Sequence, residues 1–164
     1  IGGKALDKSL DELKPILQKL NILSLNTEEA TRITKIEQKY TKNKKQIIND
    51  DVKLMLTTLK AFVKDIVIIT DGGKGAYAYD GTNFYYAPVY PTKRVSTLGA
   101  GDAFASTFCA SIMLGKDIKN ALQLASINSG NVVSYYSAQE GLLDLPKLEE
   151  INAKNTEHKT IIVE

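Results

Sequence analysis

Leucines recur at three- and four-residue spacing through residues 6–20, at Leu6, Leu10, Leu13, Leu17 and Leu20, which predicts an amphipathic helix. Pro15 interrupts that run, and a proline beyond the first turn loses a hydrogen bond and crowds the turn before it, so a kink or break is expected near Lys14. Residues 21–25 form a short apolar run read as a buried strand, and Asn26 then opens a helix expected to reach about Tyr40. Asp50 or Asp51 is expected to cap a helix through Phe62, with Val52, Leu54, Leu56, Leu59 and Phe62 turned inward. An apolar strand follows at residues 66–69. Runs at 76–79 and 83–87 flank Asp80-Gly81 as in a hairpin, and Pro88 and Pro91 end the pairing. An apolar, small-residue helix begins near Gly101 or Asp102 and runs to Leu114, where Gly115 stops it. Asp117 caps another helix through Ile127 and onward toward Tyr135, Pro146 opens a last one to about Ala153, and residues 160–163 read as a terminal strand. This order predicts an α/β three-layer fold with an antiparallel hairpin beside a mostly parallel sheet.

Composition narrows the class. A chain of 164 residues fits one domain and buries roughly 70% of its extended surface. With 43% apolar and 24% charged residues and no apolar run of about 18 residues, a globular domain is indicated and a membrane span is not. A formal charge of +2 is too small to argue for nucleic acid, and the lysine-rich residues 35–45 read as a solvated helix end. The aromatics of residues 77–86 read as sheet-covering side chains, not a base-stacking platform. Cys109 is the only cysteine, so no internal disulfide forms; a buried, inert thiol in a reducing, cytoplasmic compartment is expected. His158, the lone histidine, receives no catalytic role. The chain starts Ile1-Gly2-Gly3-Lys4 with neither Met nor a signal pattern, which reads as a processed or cut piece.

Three stretches carry candidate chemistry. In Thr97-Leu98-Gly99-Ala100-Gly101-Asp102, glycines let a loop turn sharply and expose backbone N–H groups, and the helix that follows adds the positive end of its dipole. Asp102 at the mouth of such an anion seat is placed to take a proton from an attacking hydroxyl, although an Asp here also serves as an ordinary N-cap. Asn26 and Glu29 have capping-box spacing, and the same geometry can aim a carboxylate at a metal at the end of a central strand. Thr70, Gly72, Gly73 and Gly75 mark a tight turn or a close approach, without the ending of a phosphate-binding Walker loop.

The run from Thr97 to Phe104 resembles the C-terminal signature D-T-x-G-A-G-D of the ribokinase-like (pfkB) carbohydrate and nucleoside kinases. That resemblance implies that Gly99, Ala100 and Gly101 form the anion hole for the transferred phosphoryl group and that Asp102 is the catalytic base. It implies that Asn26 and Glu29 match an Asn-x-x-Glu motif near magnesium and that Thr70, Gly72 and Gly75 lie along the nucleotide. It further implies that part of the adenine pocket lies on the helix that Asp117 caps and on residues 137–141, with Asn128 either a pocket residue or a helix-packing one. Ser96 departs from the pattern, where an Asp is associated with an activating monovalent cation. The implied activity is phosphotransfer from ATP with Mg2+ to a hydroxyl of a sugar or nucleoside, with a lean toward adenosine-kinase-like members. The resemblance runs from about Leu20 onward and covers only a C-terminal nucleotide-binding portion, so the N-terminal acceptor-binding half and lid are expected to be absent and the chain inactive alone. A homodimer is compatible with it; a nucleic-acid or membrane partner is not expected. A non-catalytic nucleotide-binding or interaction domain is the competing reading.

Overall fold

The computed structural model describes residues 8–38 and 46–163. Its first helix, α1 (Leu10–Leu17), starts at Ser9, whose hydroxyl accepts the Glu12 N–H while the Glu12 carboxylate accepts the Ser9 N–H. The reciprocal pair satisfies two backbone donors at the helix start. The break expected near Lys14 does not occur: α1 runs through Pro15 and ends two residues later, so the proline costs only a bond in a turn already finishing. Leu6 lies outside the described residues.

Strand β1 (Ile22–Asn26) leads into α2 (Thr27–Thr34), which stops short of the expected Tyr40. Lys35 takes a left-handed conformation at φ 59° and its N–H bonds the Thr31 carbonyl at 2.8 Å, closing the helix. Tyr40 and most of the lysine-rich run lie outside the described residues. Helix α3 (Asp50–Lys60) is capped by Asn49, whose side chain accepts the Asp51 N–H at 3.0 Å, so Asp50 and Asp51 occupy the first turn instead, where the dipole favours them. Its inward face holds Val52, Met55, Leu56 and Leu59, while Leu54, expected inside, is 53% exposed.

Two units organise the chain: residues up to Gly72 with Ala76–Tyr86 and the end from Ile162, and Gly73–Gly75 with Ala87–Ile161. In the first, β1, β2 (Ile66–Thr70), β3 (Ala76–Tyr79), β4 (Phe84–Ala87) and β5 (Ile161–Val163) follow one another across one sheet. β1 and β2 are parallel from Ile22↔Ile66 to Asn26↔Thr70, and β2 and β3 antiparallel from Val67↔Tyr79 to Thr70↔Ala76. β3 returns through a short glycine turn, which forces antiparallel pairing, so parallel pairing is carried by β1 and β2 alone. The Asp80 carboxylate closes the hairpin by accepting the Thr82 and Asn83 N–H groups, both at 2.7 Å. Terminal strand β5 lies beside β4 at the sheet edge.

Leu13, Leu17, Leu23, Leu25, Ile33, Met55, Leu56 and Ile69 belong to one apolar core over the sheet face that carries Val67. Ile68 and Ala78, on the opposite face, are fully buried as well, which explains why β2 reads as an unbroken apolar run. Each such Leu or Ile contributes about 1.5–3 kcal/mol by leaving water.

The second unit holds α4 (Ala100–Met113), α5 (Ile118–Val132) and α6 (Leu145–Lys154). α4 ends in a left-handed Gly115 at φ 79°, with the Gly115 N–H bonded to Ile112 and the Lys116 N–H to Ser111. Asp117 caps α5 by accepting the Asn120 N–H at 2.8 Å, and Asp144 caps α6. Cys109 is half-buried, less than expected, and burial still pushes its thiol up from the usual range. Among the described residues no helix is long and apolar enough to cross a membrane.

Candidate active site

In the first unit, the candidate residues meet at the carboxyl ends of the two parallel strands, where Asn26 and Thr70 are register partners. This is where open α/β sheets bind ligands. The Asn26 side chain accepts the Glu29 N–H at 2.8 Å and the Glu29 carboxylate accepts the Asn26 N–H at 2.8 Å, so the capping box is real. One Glu29 oxygen is thereby used, and the other has no protein partner among the described residues. No group of three or more His, Cys, Asp or Glu gathers to hold a metal among the described residues. A lone carboxylate oxygen fits magnesium, which keeps several of its waters and is held chiefly by substrate phosphates.

Thr27 donates its hydroxyl to the Thr70 carbonyl at 3.1 Å, fixing the end of β2 against the start of α2, and the Thr70 hydroxyl turns back toward the Leu25 carbonyl at 3.4 Å. Gly72 follows at φ 49° and opens a single 3-10 turn through Lys74. A side chain at Gly72 would meet nothing within 4 Å, so the glycine answers to backbone conformation and leaves the peptide open to approach. Burial, and then the Asp71 charge, push the Tyr77 hydroxyl up to about 12, so it stays a neutral phenol.

The second unit carries the Gly-Ala-Gly-Asp turn, Gly75 (φ 101°) and Asn128. Gly99, at φ 77°, is the residue before α4, and no side chain caps the helix. The helix thus begins one to two residues earlier than expected, and Asp102 is its third residue. That placement removes the N-cap reading of Asp102. Asp102 is exposed and its carboxylate has no hydrogen-bond or ion-pair partner among the described residues. The Gly101 and Asp102 N–H groups are likewise without bonds there, whereas Ala103 already donates to Gly99 at 2.9 Å. A side chain at Gly101 would touch nothing within 4 Å. Two unspent donors, the positive end of a 14-residue helix and an unpartnered carboxylate therefore share one turn.

The loop is held from behind. The Val95 and Ser96 N–H groups both donate to the Val133 carbonyl, at 2.7 and 3.1 Å, and the Ser96 hydroxyl accepts the Leu98 N–H at 3.2 Å. The Ser129 hydroxyl donates to the Ala100 carbonyl at 3.0 Å. Asn128 is 4% exposed and spends its amide on Thr107 at 2.8 Å and its carbonyl on the Leu143 N–H at 3.0 Å, tying α5 to α4 and to the segment before α6. That geometry makes Asn128 a brace between these elements. Asn131 donates to the Gly141 carbonyl at 2.7 Å, fixing the 137–141 turn. Lys93 and Arg94 are exposed, and His158 works through its backbone, its carbonyl accepting from Gln123 and Asn155. The hairpin aromatics pair with one another, Tyr77 with Tyr86 and Tyr79 with Phe84.

Ser129, Asn131 and Val133 were not singled out as loop supports by sequence reasoning. Only a general signal was present: buried polar residues on an otherwise apolar helix must have partners, as Gln123, Ser126 and Asn128 of α5 do, and that rule does not name the partner.

The family model described as pfkB family carbohydrate kinase matches residues 4–145. The 5-dehydro-2-deoxygluconokinase of Bacillus licheniformis is 38% identical over 96 residues, covering 58% of this chain and 30% of that protein. Arabidopsis thaliana ribokinase, solved with ribose and ATP, superposes with a TM-score of 0.78 at 21% identity, covering 93% of this chain and 46% of that one. A candidate ribokinase II from E. coli, in complex with ATP and Mg2+, gives a TM-score of 0.73 at 22% identity over 88% of this chain and 43% of that one. The chain spans less than half the length of each of these proteins. The solved structures establish a ribokinase-like fold, and the family match establishes that the chain belongs to the pfkB family of carbohydrate kinases.

Proposed function

We propose that the protein transfers the terminal phosphoryl group of ATP to a hydroxyl of a sugar, with this chain supplying the phosphoryl-handling portion. The observation that carries this reading is the unpartnered Asp102 carboxylate on the same turn as the unbonded Gly101 and Asp102 N–H groups. ATP supplies the phosphoryl group, and Mg2+ offsets the charge that spreads over its oxygens. Asp102 accepts the proton of the acceptor hydroxyl as its oxygen attacks phosphorus and the bond to the ADP oxygen breaks. The unbonded Gly101 and Asp102 amides take up charge on the migrating group, the Ala100 N–H being already bonded to the Thr97 carbonyl at 3.3 Å; a single donor of this kind is worth about 10²–10³ in rate. Glu29 would help hold magnesium with the oxygen that its cap leaves unused, the other being retained for the Asn26 N–H. Thr70, Gly72 and Gly75 border the nucleotide.

The acceptor is a sugar of the kind the curated relatives are named for, 5-dehydro-2-deoxygluconate, in preference to a nucleoside. Acceptor recognition belongs to the part of the relatives' length that this chain does not match, so residues 1–164 alone are expected to bind nucleotide without turnover. A reducing, cytoplasmic setting suits the single half-buried thiol.

The test is ADP release by the full-length protein with ATP and Mg2+ against 5-dehydro-2-deoxygluconate, ribose and adenosine. Sugar-dependent ADP formation is expected. Nucleotide binding with no acceptor-dependent ADP across a broad panel of sugars would favour a non-catalytic module and overturn this reading.

A further inference from the structure

We infer that Ser129 is a positioning residue for the phosphoryl seat: through its bond to the Ala100 carbonyl it fixes and strengthens the Gly101 N–H as a donor. The inference rests on the phosphotransfer reading above and adds to it a residue outside the glycine loop. A trans peptide is planar, with its C=O and N–H pointing in opposite directions. The Ala100 carbonyl and the Gly101 N–H belong to one such unit, so whatever holds the carbonyl on one side aims the N–H on the other. The helix's own Phe104 N–H bonds that carbonyl from within α4, and Ser129 adds a second, lateral hold, its hydroxyl 3.0 Å from the Ala100 oxygen. The Gly101 N–H at the far end of that unit is one of the two donors without a partner, in a position where a side chain would meet nothing within 4 Å. A hydrogen bond accepted by the carbonyl also polarises the unit and makes its N–H a better donor, as in any hydrogen-bonded chain.

The arrangement is local to this serine. α5 presents a second hydroxyl one turn earlier, Ser126, and it donates to the Pro88 carbonyl at 2.6 Å, away from the glycine loop. The two serines have the same chemistry on the same helix, and only one touches the seat. α5 is itself anchored to α4 by the Asn128 bond to Thr107, so Ser129 acts from a fixed platform.

The experiment compares Ser129→Ala, Ser129→Thr and Ser126→Ala in the full-length protein. Ser129→Ala is expected to lower kcat about three- to tenfold, the worth of one such bond, with the acceptor KM within about twofold. Ser129→Thr restores the hydroxyl and should recover most of the loss, and Ser126→Ala should leave kcat unchanged. Independently of turnover, the Gly101 amide resonance is followed by 1H–15N NMR as inorganic phosphate is added; its shift should be smaller and need more phosphate in Ser129→Ala. A kcat for Ser129→Ala within twofold of wild type, an equal loss in Ser126→Ala, no recovery in Ser129→Thr, or an unchanged phosphate response would each overturn the inference. A wild-type Gly101 amide that ignores both phosphate and ATP would instead remove the phosphoryl seat itself.

Discussion

Gly99 lies against Ala138 so closely that a Cβ on the glycine would sit 2.6 Å from the alanine Cβ and 3.0 Å from its Cα. The glycine also stands at φ 77°, where an L side chain is strained. The two demands are independent, one of space and one of conformation, and together they lock the loop before α4 to the 137–141 turn.

Gly99→Ala is therefore expected to lose about 2–5 kcal/mol of stability from strain and overpacking together. Adding Ala138→Gly removes the 2.6 Å contact but leaves the backbone of residue 138, its Cα at 3.0 Å and its carbonyl oxygen at 3.1 Å, and the strained φ, so the pair should recover part of the loss. Urea unfolding of the three variants measures it; full recovery in the double variant would mean that conformation contributes nothing.

Asp80 closes the β3–β4 hairpin with bonds to the Thr82 and Asn83 N–H groups and from the Tyr85 hydroxyl at 2.9 Å. Burial pushes its carboxyl up, but these hydrogen bonds outweigh it and hold the group below the usual carboxylate range. A depressed folded-state pKa stabilises above the unfolded-state value, about 3.9, and that contribution fades as pH falls through the folded one. Asp80→Ala should cost about 1–2 kcal/mol at neutral pH. The gap between variant and wild type should shrink in acid below about pH 4. Unfolding curves from pH 3 to 7 read this directly, and a gap that widens in acid would contradict it.

Asn128 separates a brace from a nucleotide contact. Its removal leaves the Leu143 N–H and the Thr107 hydroxyl without their partner inside the second unit. Asn128→Ala should lower stability by about 1–3 kcal/mol and leave the affinity for ATP within a fewfold. Calorimetry and thermal unfolding decide it: a large loss of ATP affinity at unchanged stability would return Asn128 to the pocket.

How much of this was legible beforehand follows from which forces act locally. Asn26 with Glu29 and Asp117 with Asn120 are caps written within four residues, and both formed as the spacing said. The core phase of α3 shifted because Met55 and Leu54 are both apolar, and only the packing decides which of the two turns in. α2 ended early through a left-handed Lys35, a residue type that carries no stop signal in sequence. The glycine turn ahead of a helix was readable, but its supports were not. Ser129 and Val133 act on residues 29 and 38 positions away, and nothing in a linear pattern pairs such positions.

Ser96 occupies the place where the resembled signature has an acid. Its hydroxyl is already engaged by the Leu98 N–H, so a neutral, bonded oxygen replaces a charge that attracts a cation. Activity is expected to vary less than twofold between potassium and sodium at constant ionic strength, and Ser96→Asp to create a dependence. Saturable activation of the wild type by potassium alone would oppose this.

Asp102 offers the sharpest separation between chemistry and architecture. Because Gly99 and not Asp102 precedes the helix, and because the carboxylate bonds to no described group, Asp102 carries no capping duty that a substitution would disturb. Asn at the third helical position keeps the size and loses the proton acceptor along with a favourable charge near the helix start, the latter worth about 0.3–1 kcal/mol at an exposed site. Asp102→Asn should thus melt close to wild type and bind ATP with similar affinity, while single-turnover phosphotransfer falls by about 10²–10⁴. Asp102→Ala should fall as far, since the missing function is proton acceptance and not hydrogen bonding. If Asp102→Asn instead transfers phosphate at near the wild-type rate, Asp102 leaves the mechanism. The Gly99–Gly101 turn would then remain a binding element whose acceptor is activated by another group.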